Sequence, residues 1–271
     1  YPFRRVRFRT DLEREDVVTG EVSLRRELAV AERRVYWKAG AKFVGRDKTQ
    51  DRTNRNYTGT GFTLADFGLG GQGPTDFFEG HAPFGPTLNL EALQQFFDAN
   101  PSFFTFVSLA TQADSATQDF QADEQVTAGF LMGQIDFERW NLLAGVRIEH
   151  TSGDYHANEL LYRGGTFTGA TRPAVGDTSY TDVLPGVHVN VFPRRNLTVR
   201  LAWTNTLGRP AYSQLAPIRV LDDTLNENGR YTGSLSSGNP ELKPYESMNL
   251  DASIEYYLGS GLVAVAPFYK R

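Results

Sequence analysis

Apolar and polar residues alternate at period two through most of the chain, a pattern that demands a sheet with two chemically different faces. Val18, Gly20, Val22 and Leu24 alternate with Thr19, Glu21, Ser23, Arg25 and Glu27. Val35, Trp37, Ala39, Ala41 and Phe43 oppose Tyr36, Lys38, Gly40 and Lys42. Leu142 to Ile148, Val183 to Val191, Leu197 to Trp203 and Leu250 to Tyr256 repeat the pattern, and Val126–Phe137 and Leu262–Tyr269 carry it more weakly. About eight strands are expected, with the basic stretch Tyr1–Thr10 as part of a ninth.

The connections point to a class. Short ones fall near Ala29–Arg33, Glu138–Asn141, Pro193–Asn196 and Leu258–Gly261; long ones span 47–124, 153–178 and 207–245. Short and long alternate, so the turns gather at one end of the sheet and the loops at the other, as in an outer-membrane barrel. A soluble β-sandwich, for instance a carbohydrate-binding module, has no reason for that segregation. A closed antiparallel sheet satisfies every backbone group within lipid. Its outer face would carry Val, Leu, Ala and Ile, with Trp37, Trp203 and Tyr256 toward the ends as girdle residues. The other face, with Lys38, Lys42, Arg147, Glu149 and Arg200, is too polar for a dry core. Those charges either touch a lumen plug or pair across strands.

Composition removes other classes. The longest aliphatic run, Leu262–Ala266, is far below the roughly 18 residues of a membrane helix. The mean hydropathy of −0.41 is no obstacle to a barrel, half of whose strand residues are polar. Absence of cysteine excludes disulfides, thiolate metal sites and thiol catalysis. His81, His150, His156 and His188 are scattered, no Ser/His/Asp arrangement can be drawn, and no enzyme activity and no cofactor are expected. Asp222-Asp223 is read as a solvated loop pair, with a divalent-ion site as the alternative. Gly68-Leu69-Gly70-Gly71-Gln72-Gly73 fits a dinucleotide fingerprint formally, but Pro74-Thr75 follows and no βαβ unit exists, so it reads as loop.

Charge is unevenly placed. Residues 1–60 carry 15 basic and 9 acidic groups, whereas residues 61–125 carry 9 acids, no Lys or Arg, and 11 of the 19 Phe. That segment reads as a long extracellular loop. Within it Asn89–Ala99 predicts a short helix, with Asn89 as its cap, Leu90, Leu93, Phe96 and Phe97 on one side and Asn100-Pro101 as the stop. With Phe103, Phe104 and Phe106 it forms either a ligand platform at the barrel mouth or a loop burying its own aromatics. An anionic ligand would favour cations at the entrance. This loop has none, although Arg163, Arg172, Arg209, Arg219 and Arg230 stand elsewhere, so a neutral ligand such as a saccharide is slightly preferred.

Ser237-Gly238-Asn239-Pro240-Glu241-Leu242-Lys243-Pro244-Tyr245-Glu246-Ser247, followed by Asn249-Leu250-Asp251 and Ile254-Glu255-Tyr256-Tyr257, resembles the late-barrel segment of TonB-dependent outer-membrane receptors. So do Leu143–Glu149, Tyr180–Pro185 and Ala202–Pro210 with Tyr212–Pro217, in that order along residues 125–271. The resemblance implies a bacterial outer-membrane barrel of about 22 strands with a plugged lumen. It implies an active receptor for a scarce solute such as a siderophore or saccharide, energised by a TonB-type partner and embedded in lipid and lipopolysaccharide. Residues 1–271 would then be part of the barrel domain, without the plug, the TonB box or the terminal strand, and unable to transport alone. A passive porin is the other membrane alternative, and no nucleic-acid partner is expected. Phe96, Phe97, Phe103, Phe104 and Arg209 are the loop candidates for ligand contact. Asn239, Pro240, Glu241, Leu242, Lys243, Pro244 and Tyr245 are read as a structural strand-entry motif. Its prolines fix φ and remove donors, Gly238-Asn239 supplies turn-compatible dihedrals, and regular strand is expected only near Ser247.

Overall fold

A computed structural model describes residues 3–30, 33–72, 86–225 and 228–271. Eight antiparallel strands follow one another around one sheet in chain order. They are β1 (Val6–Val30), β2 (Arg33–Gly59), β3 (Phe120–Asp136), β4 (Trp140–Arg163), β5 (Thr166–Arg194), β6 (Leu197–Gly208), β7 (Tyr245–Leu258) and β8 (Gly261–Val265). Past Pro267, Phe268–Lys270 pairs β7 again. Among the described residues, three α-helices, α1 (Leu90–Ala99), α2 (Ser108–Ala116) and α3 (Tyr212–Leu215), lie in the two long connections, and none is long and apolar enough to cross a membrane.

The register sorts the side chains as the alternation requires. Val22, Ala41, Gly129, Ile148 and Val183 form one row across five strands, and Leu24, Ala39, Leu131, Val146 and Pro185 the next. Val22 (70% exposed), Ile148 (48%) and Val183 (59%) meet no covering layer. The only other sheet among the described residues is a small hairpin, Leu69–Gln72 with Pro86–Leu88, so a sandwich is not formed. Trp37 and Trp203 share one outer row through Gly133, Ala144 and Val187. On the opposite face Glu21, Lys42, Ala128, Glu149 and Asp182 form the matching polar row.

Four expectations need correction. Residues 153–178 are not a loop: β4 and β5 continue as paired strand to a tight turn at Gly164-Gly165, whose φ values of 57° and 75° only glycine adopts freely. Residues 6–10 open β1 rather than making a ninth strand. The first long connection covers only 60–119, because β2 runs to Gly59 and β3 begins at Phe120. At about 3.3 Å per residue, the 29 residues of β5 extend roughly 95 Å, well beyond a hydrocarbon core of roughly 30 Å even when tilted. The end asymmetry therefore persists, expressed as wall height as well as loop length. Regular strand also resumes at Tyr245, two residues before the expected start. His81 and Gly73-Pro74-Thr75 lie outside the described residues.

Above the apolar rows the outer face turns polar abruptly. Asp16, Asp47, Asp123, Asp154 and Asp177 stand in a single row across β1 to β5, each opposite the next. Like charges directly opposite destabilise a sheet by about 0.2–1 kcal/mol per pair. Asp123 faces two of them, Asp47 and Asp154. The substitution Asp123→Asn should therefore stabilise the detergent-solubilised protein by about 0.5–1 kcal/mol. Chemical unfolding followed by tryptophan fluorescence checks this, and the gain should shrink at high salt, where exposed charges are screened.

Candidate functional site

The second long connection and α2 of the first fold against the polar face at the end opposite the short turns, whereas α1 and its phenylalanines pack on Phe8 and Tyr57, which stand on the outer side of β1 and β2. The first places α2 against β2, with Asn54 and Asn56 fully buried beneath it. Asn54 Nδ2 donates to the Asp114 carbonyl at 2.8 Å, Asn56 Nδ2 donates to the Asp114 carboxylate at 3.0 Å, and Arg7 pairs with the same carboxylate. Ala113 on α2 packs with Leu160 and Phe167 of β4 and β5. Sequence reasoning missed α2, because its sequence SLATQADSA offers no strong apolar stripe.

The second connection, residues 209–244, crosses the inner face of β5 and β4. Its hairpin Arg219–Leu225/Tyr231–Ser237 adds to the free edge of β4 in parallel, Arg219–Asp223 beside Glu159–Arg163. Both Asp222 carboxylate oxygens accept the Gly165 N–H (2.9 and 3.2 Å), and Asp223 pairs with Arg163 at 3.4 Å. That pair is thereby an anchor of the hairpin on the β4–β5 tip.

Beneath this segment lies a polar cluster built by the register of β2 to β5. Glu149 is 8% exposed and held between Arg147 Nε and Arg209 Nη2, each at 2.5 Å, and Arg209 reaches Thr151 Oγ1 at 3.4 Å. Burial alone would lower the Arg209 pKa, but the hydrogen bond and charge of Glu149 outweigh it and the net direction is upward. Glu124, 3% exposed, accepts from Arg46 and from the Tyr212 hydroxyl, both at 3.2 Å. Burial, and then the Glu124 charge, push the Tyr212 phenol up to about 12. Asp182 Oδ2, the Tyr155 hydroxyl and Arg209 Nε are buried without a partner among the described residues. The cluster can bind polar groups and fix a loop. Arg46, Glu124, Thr151 and Tyr212 were not singled out from sequence, because only the register shows that they converge.

The Asn239–Tyr245 motif seals the segment. The Asn239 side chain accepts the Glu241 N–H at 3.0 Å, an Asx turn, and Asn239 N–H donates to the Gln214 carbonyl at 2.9 Å. Leu242 packs on a core of Phe120, Ala122, Tyr155, Leu215 and Ala216, while Pro240 fills the space over Gly176. Tyr245 is 80% exposed at the start of β7.

The aromatic candidates lie elsewhere. Asn89 caps α1 by accepting the Ala92 N–H at 3.0 Å, as its sequence predicts. Phe104 is buried with Phe3, Phe67 and Leu93, and Phe96 and Phe97 pack against that core, with Phe97 and Phe104 centroids 4.6 Å apart. Phe103 is 42% exposed beside Phe96. These four come together on the β1–β2 end, and Arg209 is not among them. Of the lumen charges, Lys42 pairs with Glu21 across strands at 3.9 Å, Arg200 pairs with Glu255, and Lys38 lies over the Phe130 ring. His150 and His156 stand on the outer face of β4 and His188 on the inner face of β5, and no metal-holding group of residues occurs among those described.

The chain matches the family described as "TonB dependent receptor-like, beta-barrel" over residues 3–271. Among solved structures it is similar to the siderophore receptor PiuA from Acinetobacter baumannii. That likeness has 10% identity and a TM-score of 0.52, and covers 95% of this chain and 32% of that one. The ferric-catecholate import receptor Fiu from E. coli K12 also aligns, at 10% identity and a TM-score of 0.43, over 98% of this chain and 40% of that one. The chain thus spans about a third of the length of the PiuA receptor. No curated protein sequence matches it.

Proposed function

The chain belongs to the TonB-dependent receptor β-barrel family, and on that premise we propose that it forms part of the wall of a bacterial outer-membrane active importer. The receptor takes a scarce solute at the long-connection end and passes it through the lumen with energy from a TonB-type partner. A plug borne by the same receptor would rearrange between ligand states, so the mechanism is differential binding, without bond chemistry. The observation that carries this reading is the two-sided wall: an apolar exterior band without a covering layer and a polar inner face roofed by the inward-folded second connection. The orphaned Asp182 and Arg209 atoms are natural contacts for that plug or for solute.

An uncharged ligand, such as a saccharide, remains the preferred class over an anionic iron chelate. Residues 61–125 carry no cation. Arg163, Arg172, Arg209 and Arg219 are each paired with a carboxylate, Asp223, Glu159, Glu149 and Glu159 respectively. The aromatic group around Phe96 and Phe103 offers a stacking surface for a sugar face. Uptake and binding assays on the full-length receptor, with saccharides against ferric chelates and with or without TonB, test both parts. Saccharide uptake that vanishes without TonB is the expected result. Uptake indifferent to TonB points to a passive porin, and strict selectivity for an anionic chelate overturns the ligand class.

A further inference from the structure

The short-turn end carries an unused feature of the surface. Three neighbouring turns present Arg33 and Arg34, Arg139, and Arg194 and Arg195, all exposed. None of the five makes an ion pair among the described residues, although ion pairs are common elsewhere on this wall. The turns are contiguous: the Phe192 N–H donates to the Arg139 carbonyl at 2.6 Å, and the Arg33 guanidinium lies 4.3 Å from the Phe137 ring centre. Phe137 in turn stacks on Trp140, with centroids 3.8 Å apart and planes 8° from parallel. Arg33, Arg34, Phe137, Arg139 and Trp140 line one open depression. Its three guanidiniums face two acids, Asp136 and Glu138, and Arg194 and Arg195 on the adjoining turn make the rim as a whole basic.

The position of this patch specifies its occupant. Val35, Ile135, Leu142 and Val189 form an apolar outer row, followed one step nearer the turns by Trp140, Val191 and Val199. Arg33 lies two residues beyond Val35 and Arg139 three residues before Leu142, a rise of roughly 7–10 Å. That is the depth of a lipid headgroup when the row lies at the hydrocarbon boundary. A planar guanidinium binds phosphate oxygens in bidentate fashion, and a stacked aromatic pair suits the interface. The opposite end of the wall bears the five-aspartate row, so the two rims have opposite preferences for anions.

We propose that this rim docks on the phosphates of anionic phospholipids, of the phosphatidylglycerol type, in the leaflet next to the short turns. The proposal rests on the reading of the wall as membrane-spanning. The test uses full-length receptor in phosphatidylcholine nanodiscs containing a small fraction of brominated phosphatidylglycerol or, separately, brominated phosphatidylcholine. Bromine quenches tryptophan on contact, and Trp140 sits in the patch. The expected result is an apparent affinity for the anionic lipid about fivefold or more above that for the zwitterionic one. That preference should disappear in the variant Arg139→Gln/Arg194→Gln/Arg195→Gln and survive in the corresponding triple Lys variant. Equal quenching by both lipids overturns the proposal while leaving the membrane reading intact. Quenching by neither lipid overturns the membrane reading, and the proposal with it. Unchanged lipid preference in the Gln variant, together with lost TonB-dependent uptake, assigns the patch to a protein partner and also overturns the proposal.

Discussion

Replacing Gly238 with valine is expected to lift the whole 209–244 connection off the inner wall while leaving the eight strands paired. A Cβ at this position would overlap the Ala216 carbonyl oxygen and fall 2.9 Å from its carbon and 3.2 Å from the Gln214 oxygen. All three atoms are backbone, so no side chain can rotate out of the way. Gly238 is therefore required for close approach of two chain segments, whereas its sequence context suggested a need for turn dihedrals. Moving the backbone breaks two bonds at once, Gly238 N–H to the Ile218 carbonyl and Asn239 N–H to the Gln214 carbonyl. Pro240 and Leu242, seated on Gly176 and on the Phe120–Tyr155 core, leave with it. Overpacking costs about 1–3 kcal/mol and each stranded buried group about 1–3 kcal/mol more. A loss of roughly 3 kcal/mol or more in local docking follows, close to a hundredfold in opening equilibrium. Hydrogen exchange should show amides of 212–244 losing that protection, with β3–β5 unchanged. Protection of 212–244 equal to the wild type would show that this contact does not hold the segment.

The parts of the fold that face lipid were legible, because a bilayer enforces alternation. Val35 to Phe43 and Leu142 to Ile148 are strands with the faces their spacing predicts. Beyond the apolar band both faces of the wall are polar, and the signal fades. Asp154, Tyr155 and His156 read as loop, yet they are paired strand with Tyr155 buried beneath the second connection. The Gly164-Gly165 pair between two such stretches was the available clue to a hairpin. The cap of α1 was legible at Asn89 because capping is local chemistry. The meeting of Arg209 with Glu149 was not, since it joins residues 60 apart through a strand register and an inward-folded loop. Arg209 was visible as a candidate cation, but its pairing required the fold. The Phe residues of the first connection were visible in the same partial way: composition announced a cluster, and tertiary packing decided that Phe104 is buried and Phe103 exposed.

Neutralising Glu149 should release the connection at its other anchor, and more severely than removing either arginine that holds it. Glu149 is almost fully buried and receives Arg147 and Arg209 at 2.5 Å each, so Glu149→Gln leaves two guanidiniums facing one another across a neutral amide. Breaking a buried ion pair from one side costs about 3–5 kcal/mol; discounted for arginines a quarter to a third exposed, about 2–4 kcal/mol is expected. Arg209→Gln leaves Glu149 still paired with Arg147, so its cost should be smaller, about 1–2 kcal/mol. The double variant should then be hardly worse than Glu149→Gln alone, giving a coupling energy of about 1–2 kcal/mol in a double-mutant cycle. The effect should persist at high salt, because the carboxylate is shielded from solvent ions. Spin labels on an exposed site of the Tyr231–Ser237 strand and on β2 report the distance directly. Glu149→Gln should broaden and lengthen it, Arg209→Gln less so. If Arg209→Gln proves the more damaging of the two, Arg147 is no substitute partner for Glu149, and the connection is held by Arg209 through contacts other than this ion pair.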